Sequence, residues 1–264
     1  MTPLRPYLSL ARMQARAVLA YRLNFALSMF AQMLQLFAML AIWGVLLSSG
    51  TIGGFDWPQM KAYLLIGFVS SIVVSPIADW RMVVRIQDGM VALDLAKPVD
   101  YQTARFAEVV GALWTELFAG VVVCAGVVLL AGPVPLPSAG AAVPFALSML
   151  AVVPLKFLIV YLSATACFYT QNYLGVQWAR LTIVALFSGA LVPLAFLPGW
   201  LQAMAAVLPF ASLAATPGLI YIGQVDGAQA WRLIAIQYAW VLALWIGTRL
   251  IWHRAVRQVT IHGG

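Results

Sequence analysis

Six apolar runs of roughly bilayer-crossing length follow one another along this chain, and no water-soluble fold accommodates such a series. They occupy residues 23–47, 60–78, 107–130, 141–168, 178–196 and 231–252. In hydrocarbon every backbone N–H and C=O must be paired within the protein, so the runs predict transmembrane helices and an all-α polytopic membrane protein. Composition agrees, with 64% hydrophobic and 9% charged residues where a soluble domain carries about 25% charged. No stretch is polar enough to form such a domain, so none is expected on this chain.

The breaks between the runs are informative. The second run is short and interrupted by Pro76, and the fourth is long enough to tilt or kink around Pro154. Residues 197–223 stay apolar but are broken by Pro198, Gly199, Pro209, Pro217 and Gly218, which predicts a re-entrant helical hairpin between the last two spans. At helical spacing, residues 4–22 put Arg5, Arg12 and Arg16 within an arc of about 40°, opposite Leu4, Tyr7, Ala11 and Val18, the pattern of an amphipathic helix lying on a membrane face. These arginines precede an apolar run about twice as long as a signal-peptide core, so that run is expected to remain as the first span.

Basic residues set the orientation. With the N-terminus inside, Arg5, Arg12, Arg16, Arg22, Arg81, Arg85, Lys97, Arg105, Arg180, Arg249, Arg254 and Arg257 are cytoplasmic, against Lys61 and Arg232 outside. Both termini, including the tail 253–264, are therefore expected in the cytoplasm. The same asymmetry accounts for the net charge of +7, which is not read as a nucleic-acid footprint.

One cytoplasmic connection, residues 79–106, is densely charged. Asp79, Asp88, Asp94 and Asp100 face Arg81, Arg85, Lys97 and Arg105, eight of the chain's 23 charged residues. Mixed signs of this kind suit docking to a protein better than to lipid or nucleic acid. Before Gly89, helical spacing would align Arg81, Arg85 and Asp88 at i, i+4 and i+7 as one charged stripe, and Lys97-Pro98 would end regular helix.

Reactive constellations are missing. His253 and His262 both lie in the tail, so no Ser-His or His-metal arrangement is available inside the membrane. Ser188-Gly189 lacks a base nearby and reads as a small-residue packing site, and Cys124 and Cys167 have no metal-type spacing. Asp88 and Asp94 are not spaced as a close carboxylate pair, and no phosphate-cradling glycine loop is present. Neither metal nor cofactor is expected in this chain. Glu116 and Lys156 do fall inside predicted spans, where a charge costs at least ~2.5 kcal/mol. They are expected to face protein or water, either as a structural pair or as a substrate contact or proton relay.

The order of these features resembles the membrane subunit of type-2 ATP-binding-cassette transporters, the ABC-2 permeases. Gly89-Met90-Val91-Ala92-Leu93-Asp94-Leu95-Ala96-Lys97-Pro98 is similar to the cytoplasmic loop of a bacterial subfamily of half-size permeases. Ser188-Gly189 through Pro193, Pro198-Gly199-Trp200-Leu201 and Leu208-Pro209-Phe210 are similar to the family's fifth span and outer re-entrant helices. The resemblance implies an exporter subunit of a bacterial cytoplasmic membrane that is not itself an enzyme. ATP and Mg would be bound by two separate cytoplasmic ATPase subunits, and a second permease, homologous or identical, would complete the path through the lipid. It further implies that Arg81, Arg85, Asp88, Gly89, Asp94, Lys97 and Pro98 belong to an ATPase-coupling loop. Gly189, Pro193, Pro198, Trp200 and Pro209 would belong to the outer gate. Two rival readings are a secondary transporter working through Glu116 and Lys156, and a membrane enzyme acting on a lipid-linked substrate through Asp88 and Asp94.

Overall fold

A computed structural model of the chain describes residues 5–20, 22–73, 76–170 and 173–257. Leu4, residues 171–172, the side chain of Asp79 and the tail from 258 onward, with His262, lie outside the described residues. Among the described residues the regular structure is all helical, without a strand. In chain order the helices are α1 (Arg5–Ala20), α2 (Arg22–Leu46), α3 (Trp57–Ile72), α4 (Pro76–Gln87), α5 (Val91–Leu95), α6 (Tyr101–Ala131), α7 (Ala139–Thr165), α8 (Tyr173–Phe187), α9 (Gly199–Val207), α10 (Ala215–Tyr221) and α11 (Gly227–Val256).

Four stretches are long and apolar enough to cross a membrane: Met29–Ser49, Tyr101–Ala131, Ala139–Phe168 and Gly227–Val256. The expected second and fifth spans differ. α3 has 16 residues and α8 has 15, lengths of about 24 and 22 Å against a hydrocarbon core of about 30 Å. The helix that covers the second run ends at Ile72 because Pro76 cannot donate an N–H and the chain restarts there as α4. α8 ends at Phe187 because Gly189 turns with φ +75°, so the run expected to continue to residue 196 leaves the helical path.

Polar caps mark the true starts. The Asp56 carboxylate accepts from the Gln59 amide at 2.7 Å while the Gln59 side chain accepts from the Asp56 amide, a reciprocal cap on α3. Asp100 accepts from the Thr103 amide at 2.9 Å, which begins α6 at Tyr101, six residues before the apolar run does. Ser138 caps α7 in the same way.

The packing is organised around α7, which carries Pro144 and Pro154 within its helical length. Along it runs α11, and α4 and α10 pack beside it. Tyr101 of α6 stacks on Trp252 of α11 at 4.3 Å between ring centroids, with Phe157 and Tyr161 of α7 against the same cluster. At the other end, Trp43, Phe55, Met60, Tyr63 and Val127 join α2, α3 and α6. Inside the bundle the buried Gln237 donates to the carbonyls of Ser148 and Ser212 and accepts from the Ser148 hydroxyl, so all three of its hydrogen bonds stay within protein.

The first helix is part of this body. It crosses α6 where Gly111 leaves no side chain, since a Cβ there would sit 2.1 Å from the Ala11 carbonyl oxygen. Its exposed face carries Arg5, Arg12 and Arg16.

Candidate functional site

The 79–106 connection folds into a tight unit instead of an open charged loop. α4 runs to Gln87, the chain turns at Gly89, and α5 places Val91 and Asp94 inward. Asp94 is only 3% exposed and is the anchor of the unit. Lys97 Nζ lies 2.7 Å from its Oδ1, Arg85 Nε 2.9 Å from its Oδ2, and Arg105 reaches to 4.0 Å. The Arg85 Nε contact is an ion pair and not an aligned hydrogen bond, whereas a second Arg85 nitrogen donates to Oδ1 at 3.4 Å. Arg105 also pairs with Glu108 at 3.1 Å and lies over the Tyr101 ring.

Two residues of the expected charged stripe are also tied to their own chain. Arg81 donates to Gln14 of α1 at 2.6 Å and Arg85 turns to Asp94, so both hold the unit to its own chain. Asp88 is exposed at the turn, and Lys97 and Pro98 are exposed beyond α5. Between these polar flanks the outward surface is apolar: Met90 is 45% exposed, Leu93 61% and Leu95 40%. Sequence reading missed these three residues. For Leu93 the signal was the i, i+3 spacing of Val91 and Asp94, which turns it to the other side; Leu95, one turn after Val91, had no such signal.

α1 and α11 brace the same unit. Tyr7 Oη accepts from the Asp100 amide at 3.2 Å, and Arg249 of α11 lies 2.8 Å from the Asp100 carboxylate. Burial would raise the Asp100 carboxyl, but the Thr103 hydroxyl and amide and then Arg249 outweigh it and hold the group below its ordinary carboxylate range.

Lys156 has a role that its position in a span did not reveal. Its Nζ donates to the Ser70 carbonyl at 3.3 Å and to the Ser71 carbonyl. Those are carbonyls of the last turn of α3, which ends at Ile72, and the last carbonyls of a helix have no partner within it. An ammonium is well suited to such a terminus, because the helix dipole adds partial negative charge there. Glu116, also buried, acts on Lys156 attractively and Arg180 repulsively. Lys61 does the same for α6, donating to the Ala131 and Pro133 carbonyls at 3.0 Å each. Counted as an external residue from sequence, it is almost fully buried.

At the opposite end of α3, Tyr63 donates to the Gly189 carbonyl at 2.8 Å. A Cβ on Gly189 would lie 2.7 Å from that hydroxyl and 3.1 Å from Ala215, so only glycine fits at this crossing. The Ser188 carbonyl accepts from the Ala215 amide at 2.9 Å, which docks the start of α10 on the end of α8. Pro193 and Pro209 are buried and open the 3-10 turns Leu194–Phe196 and Pro209–Leu213. Pro198 and Trp200 are exposed at the start of α9, and Phe196 returns onto Trp43 and Phe55. The residues 197–223 are thus two helices, α9 and α10, joined by a 3-10 turn.

Among the described residues no group of three or more His, Cys, Asp or Glu side chains is placed to hold a metal. A family model described as "ABC-2 family transporter protein" matches residues 29–263. No curated protein matches the chain.

Proposed function

The chain belongs to the ABC-2 transporter family, as a membrane permease of an ATP-binding-cassette transporter, and from that premise we propose that the α4–α5 unit is its coupling element toward separate ATPase subunits. The observation that carries this reading is the contrast within the unit. A buried Asp94 fixes its shape through Arg85, Lys97 and Arg105, while Met90, Leu93 and Leu95 form an apolar knob between Asp88 and Lys97. Apolar centres with polar rims are the usual anatomy of a protein–protein contact. The knob would sit in a groove of a cytoplasmic ATPase, which binds ATP and Mg and performs all the chemistry.

The same reading gives α3 and α8 the role of second and fifth crossings, completed by the non-helical segments next to them, with both termini cytoplasmic. Two permeases and two ATPases would enclose the path, and an amphiphilic cargo would leave outward. Force applied at α5 passes along α4 to the interruption before Pro76, where Lys156 holds α3, and then through Tyr63 to Gly189 and the α9–α10 segment. Rigid helices meeting at capped breaks can re-pack as units. The engagement of Lys156 with α3 carbonyls counts against a proton-driven transporter, and the ion-paired burial of Asp94 counts against an enzyme built on Asp88 and Asp94.

The test is charge insertion on the knob. Leu93→Asp in the assembled complex should lower permease-dependent stimulation of ATP hydrolysis by about 30-fold, the loss of about 2 kcal/mol expected at an interface anchor, while the protein inserts normally. Unchanged stimulation overturns the proposal.

A further inference from the structure

A groove of about 550 Å³ opens between α7 and α8, and it lies apart from the coupling unit. Its walls follow helical spacing on each side, with Ile159 and Leu162 on α7, Ala166 just after it, and Val176, Arg180 and Ile183 on α8. Phe210 and Ile251 close it from behind. The volume is in the range of sites for small organic ligands.

The lining is nearly all hydrocarbon, and the arginine in it is what selects an occupant. Arg180 follows the start of α8 by two helical turns, and the hydroxyls of Ser163, Thr165 and Tyr169 belong to the same wall. Exposed Tyr169 and Trp178 sit near this end, as aromatic side chains do at a membrane–water interface. The groove therefore combines an apolar trough with a basic group near an interfacial edge.

We infer that this groove binds one anionic phospholipid, its acyl chain lying along α7 and α8 and its phosphate held at Arg180. A guanidinium has five donors in a planar fork and can take a phosphate oxygen alongside its partners within the protein. Basic pockets between membrane helices on the cytoplasmic side hold acidic head groups in this way, and the topology proposed above puts the start of α8 on that side. The inference rests on that topology but not on ATPase coupling.

Native mass spectrometry of the full chain, purified in mild detergent and supplied with phosphatidylglycerol or phosphatidylcholine, tests it without nucleotide or ATPase. The wild type should retain one phosphatidylglycerol at least tenfold in preference to phosphatidylcholine. Arg180→Gln should abolish the preference, Arg180→Lys should keep part of it, and Ala179→Phe, which fills the trough, should reduce retention of both lipids. Equal retention of the two lipids by the wild type overturns the inference and needs no variant to fold. So does a photo-crosslinker at Leu162 that captures a second copy of the chain instead of lipid. Failure of the Leu93→Asp test leaves these outcomes unaffected, so the two proposals fail separately.

Discussion

Asp94 and Asp100 show how much of the α4–α5 unit depends on single carboxylates. Removing the Asp94 charge leaves Arg85, Lys97 and Arg105 converging on an unoccupied buried site. A fully buried pair broken in this way costs about 3–5 kcal/mol, but solvent reaches Arg85 and Lys97, so about 2 kcal/mol is expected for Asp94→Asn. Limited proteolysis should show the 87–98 segment cut several-fold faster in the variant, and an unchanged rate would contradict the anchoring role. Asp100 makes a pH prediction. Its folded carboxyl lies below the ordinary range, so its contribution is complete above about pH 4 and is lost as pH falls through the lowered folded value. Asp100→Asn should remove that acid-side loss in thermal denaturation below about pH 4 while keeping the α6 cap. The sequence placed these acids in one charged stretch, but mixed charge cannot reveal which members face inward. Asp94 and Leu93 are adjacent, and only the turn at Gly89 decides that the acid is buried and the leucine exposed.

Helix ends explain most of the departures from the sequence reading. Hydropathy sees runs of apolar residues, and residues 60–78 and 178–196 remain apolar after their helices stop. The end of α3 is capped by a lysine from α7, and the 85 positions between Ser71 and Lys156 hide that partnership from any local pattern. Lys156→Met should leave the Ser70 and Ser71 carbonyls without this donor and lower stability by about 1–3 kcal/mol, read as a lower thermal unfolding midpoint in detergent, with Lys156→Arg intermediate. A midpoint equal to wild type would mean that the cap contributes nothing. The α1–α6 crossing offers a second test at this scale. Gly111→Leu should displace α1 and expose it to proteolysis, because the Ala11 carbonyl occupies the space that a side chain would need. The amphipathic character of α1 was legible from Arg5, Arg12 and Arg16, whereas its anchoring through Tyr7 and Gln14 was not.

At the scale of the molecule, the membrane class, the helical architecture and the family were legible because they depend on composition and order. The contacts that connect one end of the bundle to the other were not, since nearly every residue is apolar and apolarity names no partner. Tyr63, Gln237 and Lys156 carry those contacts, and each is a polar group satisfied by backbone carbonyls from distant helices. On the reading proposed above, they join the α5 knob, α3 and the α9–α10 segment into one mechanical train. The most direct test is purification of the tagged chain from its native membrane in mild detergent, with identification of what accompanies it. The account predicts a soluble ATPase and a second permease, and predicts that Leu93→Asp releases the ATPase while the permease pair stays together. A chain that purifies alone, stable and monodisperse, would contradict it.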